Sequence, residues 1–458
     1  MHSHHILTLS ENALGGNDYI IGDIHGDAAS FSENIRRLNP NDRLFLVGDL
    51  TDRGSDSAGV IRVIKLYQAS YPDRLYIVRG NHEDSCLRTI SLLEKSGDRF
   101  SQIPYSADNK ASLEKWILHS KELTSEHAEL KNLKNHLKDG GDWLVRLIRE
   151  ELLSGDITLK SQDDPTFAFN KFVYGPNSLV RFMKELYETL PTVIFVEGKK
   201  PFYVVHADMP VSDEALQERI HKQSGLDASE LRYAVYAREP KEDARSNTRT
   251  LIREDLRSNE SIISYSGHNI VTYLKSAIIR ENANAVNIDV ASYKTNVSLR
   301  VNHTQASCEY VGVNVQVALD KFQNLQSLSE KLNAHLASQD QQYKKVNESE
   351  LVPLIKLRMK FPNKLLDKLG NNKKVEPLSP SKRSPNCIDN KRQRSDSRPD
   401  MHLGENGLGT PNKLHPSNLF SERVSPKKLK FQDDDNSENG YTGSQDSVHS
   451  LSRTNTSN

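Results

Sequence analysis

The sequence predicts an α/β fold in which two mixed β-sheets pack face to face between flanking helices, with a helical insertion and a disordered C-terminal tail. Three observations carry this. Over residues 18–83 short apolar runs alternate with amphipathic helical patterns, the order that builds a buried, largely parallel sheet. A second set of short strands, from "TVIFVEG" to "CEYVGV", follows a long helical stretch. Beyond residue 370 the composition shifts to Ser, Asn, Pro, Lys and Arg, with few large apolar residues.

The elements follow in order. "MHSHHILTLSENALGG" has no basic region followed by a long apolar core, so no secretory signal is expected. Residues 1–17, including His2, His4 and His5, read as a flexible polar start. "DYIIGD", "RLFLVGD" and "RLYIVRGN" read as strands, with "AASFSENIRRL" and "SAGVIRVIKLYQAS" as the helices between them. Residues 84–190 look mostly helical, most clearly at "ASLEKWILHSKEL", "SEHAELKNLKNHL" and "GDWLVRLIREELL". His119, His127 and His136 lie on these stretches and are expected to face solvent. Two strands, "TVIFVEG" and "PFYVVHA", join at Gly198–Lys200, and "SIISYSGH", "AVNIDV", "VSLRV" and "CEYVGV" complete a second sheet packed on the first. Apolar residues at 318, 322, 325, 332 and 336 predict a helix packed on the body, within a helical extension over 316–365 that ends in "NESELVPLIKLRMKF". Residues 371–458 cannot bury enough surface to offset ordering their backbone.

Bulk properties exclude some classes. Lys+Arg and Asp+Glu both number 61, so no overall charge points to nucleic acid or an anionic membrane. No run of about 18 apolar residues predicts a membrane span. Cys86, Cys308 and Cys387 show no paired spacing, which argues against a disulfide framework or zinc knuckle and fits a reducing, cytoplasmic setting. The mean hydropathy of −0.64 is low for a chain folded throughout.

Each of the first three strands ends in glycine and polar residues. Asp23 and His25 follow the first, Asp49, Asp52 and Arg53 the second, and Asn81, His82 and Glu83 the third. His206 and His268 end two later strands. In open α/β sheets, ligands sit beyond the carboxyl ends of the strands, so these clusters should meet at one edge. A mixed Asp, His and Asn donor set suits Mn²⁺, Fe²⁺ or Zn²⁺ better than Mg²⁺ or Ca²⁺.

"GDIHG", "GDLTDRG" and "GNHE", followed by "HAD" and "GHN", resemble the signature blocks of the metallophosphoesterase superfamily. Within it they resemble the phosphoprotein phosphatases, and "HADMP" and "GGDWL" are similar to the bacterial and phage branch. The resemblance runs from about Asp18 to Val311 and implies a calcineurin-like metallophosphoesterase β-sandwich over 18–315. It implies that Asp23 and His25 bind one divalent metal, that Asp49 bridges two, and that Asn81, His206 and His268 complete the second. Mn²⁺ is the expected ion, with Fe or Zn as alternatives. His82 becomes the general acid with Asp52 as its carboxylate partner, and Arg53 and Arg238 grip the phosphate. Tyr236 stands where the family usually has Trp, which weakens the assignment of Arg238.

The chemistry is coherent without the family name. Two divalent ions about 3.5–4 Å apart lower the pKa of a bridging water, and the resulting hydroxide attacks phosphorus directly. Arginine's planar fork suits the phosphoryl oxygens, and a histidine can protonate the leaving oxygen. No Ser or Cys nucleophile is needed. The spacing from Asn81 to His206, 125 residues, is long for the family. The extra length in 84–190 is either a cap over the site or a surface appendage.

The leading expectation is a phosphatase acting on phosphoserine, phosphothreonine or phosphotyrosine in a phosphoprotein or phosphopeptide. A dinucleoside polyphosphate hydrolase shares the metal blocks, and a catalytically weak phosphoprotein-binding effector is the non-enzymatic alternative. Residues 371–400 carry a local excess of basic residues, and "KKVEPLSPSKRSPNCIDNKRQR" resembles a bipartite nuclear-localisation signal. Ser379, Ser384 and Ser425 each precede proline. A prokaryote-like core on such a tail suggests a bacterial effector secreted into a host cell to act on a host target protein. The plainer reading of the tail is a solvated linker.

Overall fold

The structure is a computed structural model that describes residues 5–95, 127–160, 171–238, 252, 260–271 and 279–349. It has an α/β fold, two mixed sheets with helices on their outer faces. In the first sheet β2 (Asp18–Ile21), β3 (Arg43–Leu46) and β4 (Leu75–Ile77) run parallel. The long hairpin of β12 (Val297–Asn302) and β13 (Ser307–Gly312) pairs antiparallel with β2. The second sheet has the order β1-β7-β8-β9-β11-β10, built from β1 (Ile6–Leu9), β7 (Val193–Val196), β8 (Phe202–Val205), β9 (Ile263–Ser266), β10 (Ile279–Arg280) and β11 (Ala285–Asn287).

Period-2 alternation divides the strand side chains between layers. Ile20, Phe45, Val47 and Val78 point inward and meet Ile194, Val204, Phe202 and Tyr265 of the second sheet. Ile21, Leu44, Leu46 and Ile77 point outward onto helices α1 (Ala28–Arg36), α2 (Ser57–Ser70) and α3 (Asn81–Lys95). Val193, Phe195, Tyr203 and Val205 cover the outer face of the second sheet, where α7 (Asp213–Lys222) and α8 (Ala228–Tyr236) contribute Leu216 and Ala234. The helices start where the polar loops end. Asp27 caps α1 by accepting from Ser30 N–H, and Asp56 caps α2 by accepting from Gly59 N–H.

The insertion supplies α4 (His127–Lys138), α5 (Asp142–Ser154), the hairpin β5 (Ile157–Lys160) and β6 (Lys171–Tyr174), and α6 (Leu179–Thr189). Leu133, Leu137, Leu144 and Ile148 share one apolar cluster with Phe31, Ile61 and Ile90 of the first three helices. The described part of the insertion is therefore continuous with the body. The described part of this stretch is mostly helical, as expected, and the hairpin is an addition to that reading. "ITLK" and "KFVY" carry β-branched and aromatic residues that favour strands.

The flexible start read for residues 1–17 is corrected within residues 5–17; residues 1–4 lie outside the described residues. Ile6–Leu9 pairs parallel with Val193–Val196 and fills a sheet edge. Downstream, α9 (Ser292–Thr295) is a single turn, and α10 (Val315–Lys321) and α11 (Asn324–Ser349) form the helical extension. Ala318, Leu325, Leu332 and Leu336 bury against the inter-sheet core. Tyr310 Oη donates to Leu325 O at 2.7 Å, which fastens α11 to β13. The expected second helix after residue 350 and the tail over 371–458 lie outside the described residues, as do Trp116 and His119. Among the described residues, no helix is long and apolar enough to cross a membrane.

Leu332 is fully buried on α11 and Gln326 is exposed on the same helix. Leu332→Ala should therefore lower the unfolding free energy by about 2–5 kcal/mol in urea titrations. Gln326→Ala should stay within about 0.5 kcal/mol.

Candidate active site

The carboxyl ends of β2, β3 and β4 in one sheet and of β8 and β9 in the other converge on one point. The contact that joins them is a hydrogen bond between the sheets. His206, just past β8, donates from Nδ1 to Val47 O at the end of β3, at 2.7 Å. That bond places the proton on Nδ1, so the Nε2 lone pair faces the site. There it meets Asp49 Oδ1 at 3.3 Å, Asn81 Oδ1 at 3.2 Å and His268 Nδ1 at 3.0 Å. His25 repeats the device: Nδ1 lies 3.1 Å from Thr51 O, and Nε2 lies 3.5 Å from Asp49 Oδ2 and 3.7 Å from Asp23 Oδ2.

These contacts bring metal-ligating atoms together. Atoms of His206, Asn81 and Asp49 converge on one side, and atoms of His25, Asp23 and Asp49 on the other. Asp49 belongs to both groups. Two clusters of donor atoms within 4.8 Å of one another share it, one with His25 and His82 and one with His206 and His268. The donor set is chemically fit for two divalent ions. His268 Nε2 is buried with no hydrogen-bond partner, and both oxygens of Asp23 accept from His268 N–H at 3.0 and 3.1 Å.

The backbone here is held in an unusual conformation. His25, Asp49, Asp52, Arg53 and His268 all have positive φ, between 45° and 72°. Each such residue costs on the order of 1–3 kcal/mol, and clusters of them are typical of functional loops. Glu83 organises the turn by accepting from Gly80 N–H at 2.8 Å and from Asp49 N–H and Leu50 N–H at 2.9 Å each. Its carboxyl is pushed up to about 7 by burial and by the nearby Asp49 charge. Gly80 must be glycine for a spatial reason, since a Cβ there would sit 2.3 Å from Asp49 Oδ1.

The electrostatics follow from burial and convergence. Burial opposes ionisation of Asp49, but His206, His82, His25 and His268 outweigh it and hold the carboxyl well below its usual range. Burial and the charges of Asp289 and Asp49 push Asp23 well above it. Burial lowers His25, His206 and His268, which favours neutral imidazoles, the form that binds metals.

His82 differs. Its Nδ1 donates to Asp52 Oδ2 at 2.6 Å, and its backbone N–H donates to Asp49 Oδ1 at 3.0 Å. Burial disfavours its imidazolium, but Asp49 and Asp52 more than compensate and push it up to about 9. Arg53 spans the two rings, with Nη1 2.9 Å from His25 Nε2 and Nη2 3.1 Å from His82 Nε2. Its guanidinium also lies 5.8 Å from the ring centroid of Tyr293. Arg238 donates from Nη1 to His268 O at 2.9 Å, which puts its guanidinium beside the ligand cluster. All ten residues picked out in the sequence thus meet at this one place.

His136 does not face solvent. It is buried, with Nε2 3.1 Å from Asp52 Oδ2 and Nδ1 2.7 Å from Thr89 Oγ1. The signal for this was present, because His136 lies between Leu133 and Leu137 on the apolar face of α4. His127 begins the same helix. Trp143 donates from Nε1 to Asp52 Oδ1 at 2.6 Å, which no local pattern announces.

Part of the chain matches a known family. Residues 19–186 match the family model described as Calcineurin-like phosphoesterase. The matched stretch contains seven of the ten site residues, Asp23, His25, Asp49, Asp52, Arg53, Asn81 and His82. The chain is 31% identical over 150 residues to a symmetrical bis(5'-nucleosyl)-tetraphosphatase of Shewanella baltica (strain OS185), covering 32% of this chain and 53% of that protein. It is 30% identical over 130 residues to the protein of the same name from Glaesserella parasuis serovar 5 (strain SH0165), covering 27% of this chain and 46% of that one. The chain thus spans about half the length of the curated relatives it matches. Among solved structures, a putative diadenosine tetraphosphatase aligns with a TM-score of 0.38 at 16% identity, covering 68% of this chain and 99% of that one. A protein serine/threonine phosphatase from Saccharomyces cerevisiae aligns with a TM-score of 0.36 at 12% identity, covering 66% and 77%.

Asp49 stands between both donor groups, whereas Asn81 stands in one. Calorimetric titration with Mn²⁺ should therefore show Asp49→Asn weakening every binding event of the wild-type chain. Asn81→Ala should weaken one event and spare the other.

Proposed function

We propose that the chain is a metal-dependent phosphoprotein phosphatase that hydrolyses phosphomonoesters of serine, threonine or tyrosine side chains. The observation that carries this reading is the buried His82–Asp52 pair, 2.6 Å apart, beside two donor groups that share Asp49. Asp23, His25 and Asp49 would hold one divalent ion, and Asp49, Asn81, His206 and His268 the other, with Mn²⁺ favoured over Fe or Zn. When bound, such ions lower the pKa of a coordinated water and neutralise phosphoryl oxygens.

The chain's own residues do the rest. Arg53 and Arg238 orient the phosphate and balance charge on its equatorial oxygens. With Arg53 Nη2 turned from His82 Nε2 onto the phosphate, Nε2 carries a proton and passes it to the leaving oxygen, while Asp52 accepts from Nδ1 and favours the imidazolium. This dedicated acid argues for the substrate class. An alkoxide from serine or threonine is a far worse leaving group than a nucleoside polyphosphate and gains most from protonation. A second reading, dinucleoside polyphosphate hydrolysis, is favoured by the names of the curated sequence relatives. Phosphate release from phosphopeptides and from diadenosine tetraphosphate, run side by side with Mn²⁺, separates the two. Faster turnover of the dinucleotide would overturn the phosphatase reading. The tail features that suggest delivery to a host cell or nucleus lie outside the described residues and add nothing to this choice.

His82→Asn should lower kcat on a phosphoserine peptide by roughly 10²–10⁴-fold, the usual range for a general acid. It should cost less on p-nitrophenyl phosphate, whose leaving group scarcely needs a proton. Arg53→Ala and Arg238→Ala should weaken inhibition by inorganic phosphate along with turnover. Unchanged phosphate inhibition in Arg238→Ala would remove that residue from the phosphate site.

A further inference from the structure

We infer that His136 and Trp143, both carried by the helical insertion, are positioning residues that lock the Asp52 carboxylate behind His82. The inference rests on the phosphoesterase reading above and deepens it. Asp52 is fully buried and receives three side-chain N–H groups. His82 Nδ1 donates to Oδ2 at 2.6 Å, and Trp143 Nε1 donates to Oδ1 at 2.6 Å. His136 Nε2 bridges both oxygens, at 3.2 Å from Oδ1 and 3.1 Å from Oδ2. A carboxylate accepts, so His136 Nε2 carries the proton given to Asp52, and Nδ1 pairs with the Thr89 hydroxyl at 2.7 Å.

Three donors fix both oxygens of the carboxylate. A carboxylate bonded only to His82 could turn about its Cβ–Cγ bond, and the imidazole would turn with it. Donors on both oxygens prevent that rotation, so the direction of the His82 ring is set from behind. Removing either donor leaves a buried carboxylate oxygen short of a partner, which is costly in a site closed to water. Burial alone would raise the Asp52 carboxyl, but His136 and then His82 hold it well below its usual range.

The insertion reaches this point by close backbone contact. The turn between α4 and α5 contains Gly140, with φ of 91°, where a Cβ would lie 2.5 Å from Arg53 N. Its described helices therefore brace the Asp52–Arg53 loop. In that place they act on the leaving-group proton, without supplying a metal ligand or a phosphate contact.

The test uses the full chain and bulk-preserving variants. His136→Phe and Trp143→Phe should each lower kcat on a phosphoserine peptide by about 10-fold or more, the range expected for a lost hydrogen bond to a charge. Activity on p-nitrophenyl phosphate should fall far less, and KM should stay near wild type. His136→Gln, which keeps an N–H within reach, should restore most of the loss. In an Asp52→Asn background neither Phe variant should cost anything further. Equal losses on both substrates, or further loss in that background, would overturn the inference. A second readout does not depend on turnover. The chain has two tryptophans, so Trp143→Phe assigns the Trp143 indole N–H signal in the NMR spectrum. That proton should lie far downfield and move upfield in Asp52→Asn; a solvent-like signal in the wild-type chain would refute the inference even if His136→Phe fails to fold. A wild-type chain with the shifted indole but no activity on either substrate would instead overturn the functional reading while upholding the clamp on Asp52.

Discussion

Asp49 is the constraint on which the rest of this structure depends. It sits past the end of a central strand, buried, with two oxygens facing two groups of lone-pair donors. A carboxylate in that setting is tolerable only where positive charge surrounds it. The chain answers with the His82 imidazolium and the Arg53 guanidinium, and with neutral His25, His206 and His268 placed to hold cations beside it. Neither sheet alone could assemble this, since His25 and His82 come from the first and His206 and His268 from the second. The bond from His206 to Val47 O crosses between them and fixes their separation at the site.

That arrangement is held against local cost. Five residues with positive φ, two lying consecutively at Asp52 and Arg53, store strain that the loops would release if free. What prevents release is the packing on either side. The strands leading into the loops bury Ile20, Ile21, Phe45 and Leu46 completely, and Glu83 ties three backbone N–H groups of the loops to one carboxylate. Rigid strands with strained, polar loops at their carboxyl ends give a site whose geometry is set before any substrate arrives.

Much of this was legible in the sequence, for reasons of range. Asp23 with His25, Asp49 with Asp52 and Arg53, and Asn81 with His82 are local patterns, each within a few residues of an apolar strand. His206 and His268 each end a strand run, so their place at the sheet edge was also readable. The heptad-like leucines of α11 showed a packed helix because helical spacing is a local property. What failed was non-local. Ile6–Leu9 becomes a strand because β7 offers it an edge nearly two hundred positions away. Trp143 finds Asp52 through a fold that no spacing encodes. His136 was misread for a different reason: a polar residue on a helix was assigned to solvent, although Leu133 and Leu137 placed it on the buried face.

The central claim is that one shared carboxylate organises two cation sites while His82 stays free to donate a proton. Anomalous diffraction from crystals of the chain grown with Mn²⁺ tests it most directly. The account predicts two anomalous peaks, one on each side of the Asp49 carboxylate. His25 and Asp23 should contact one, Asn81, His206 and His268 the other, and His82 neither. A single peak, or a peak ligated by His82, would contradict it.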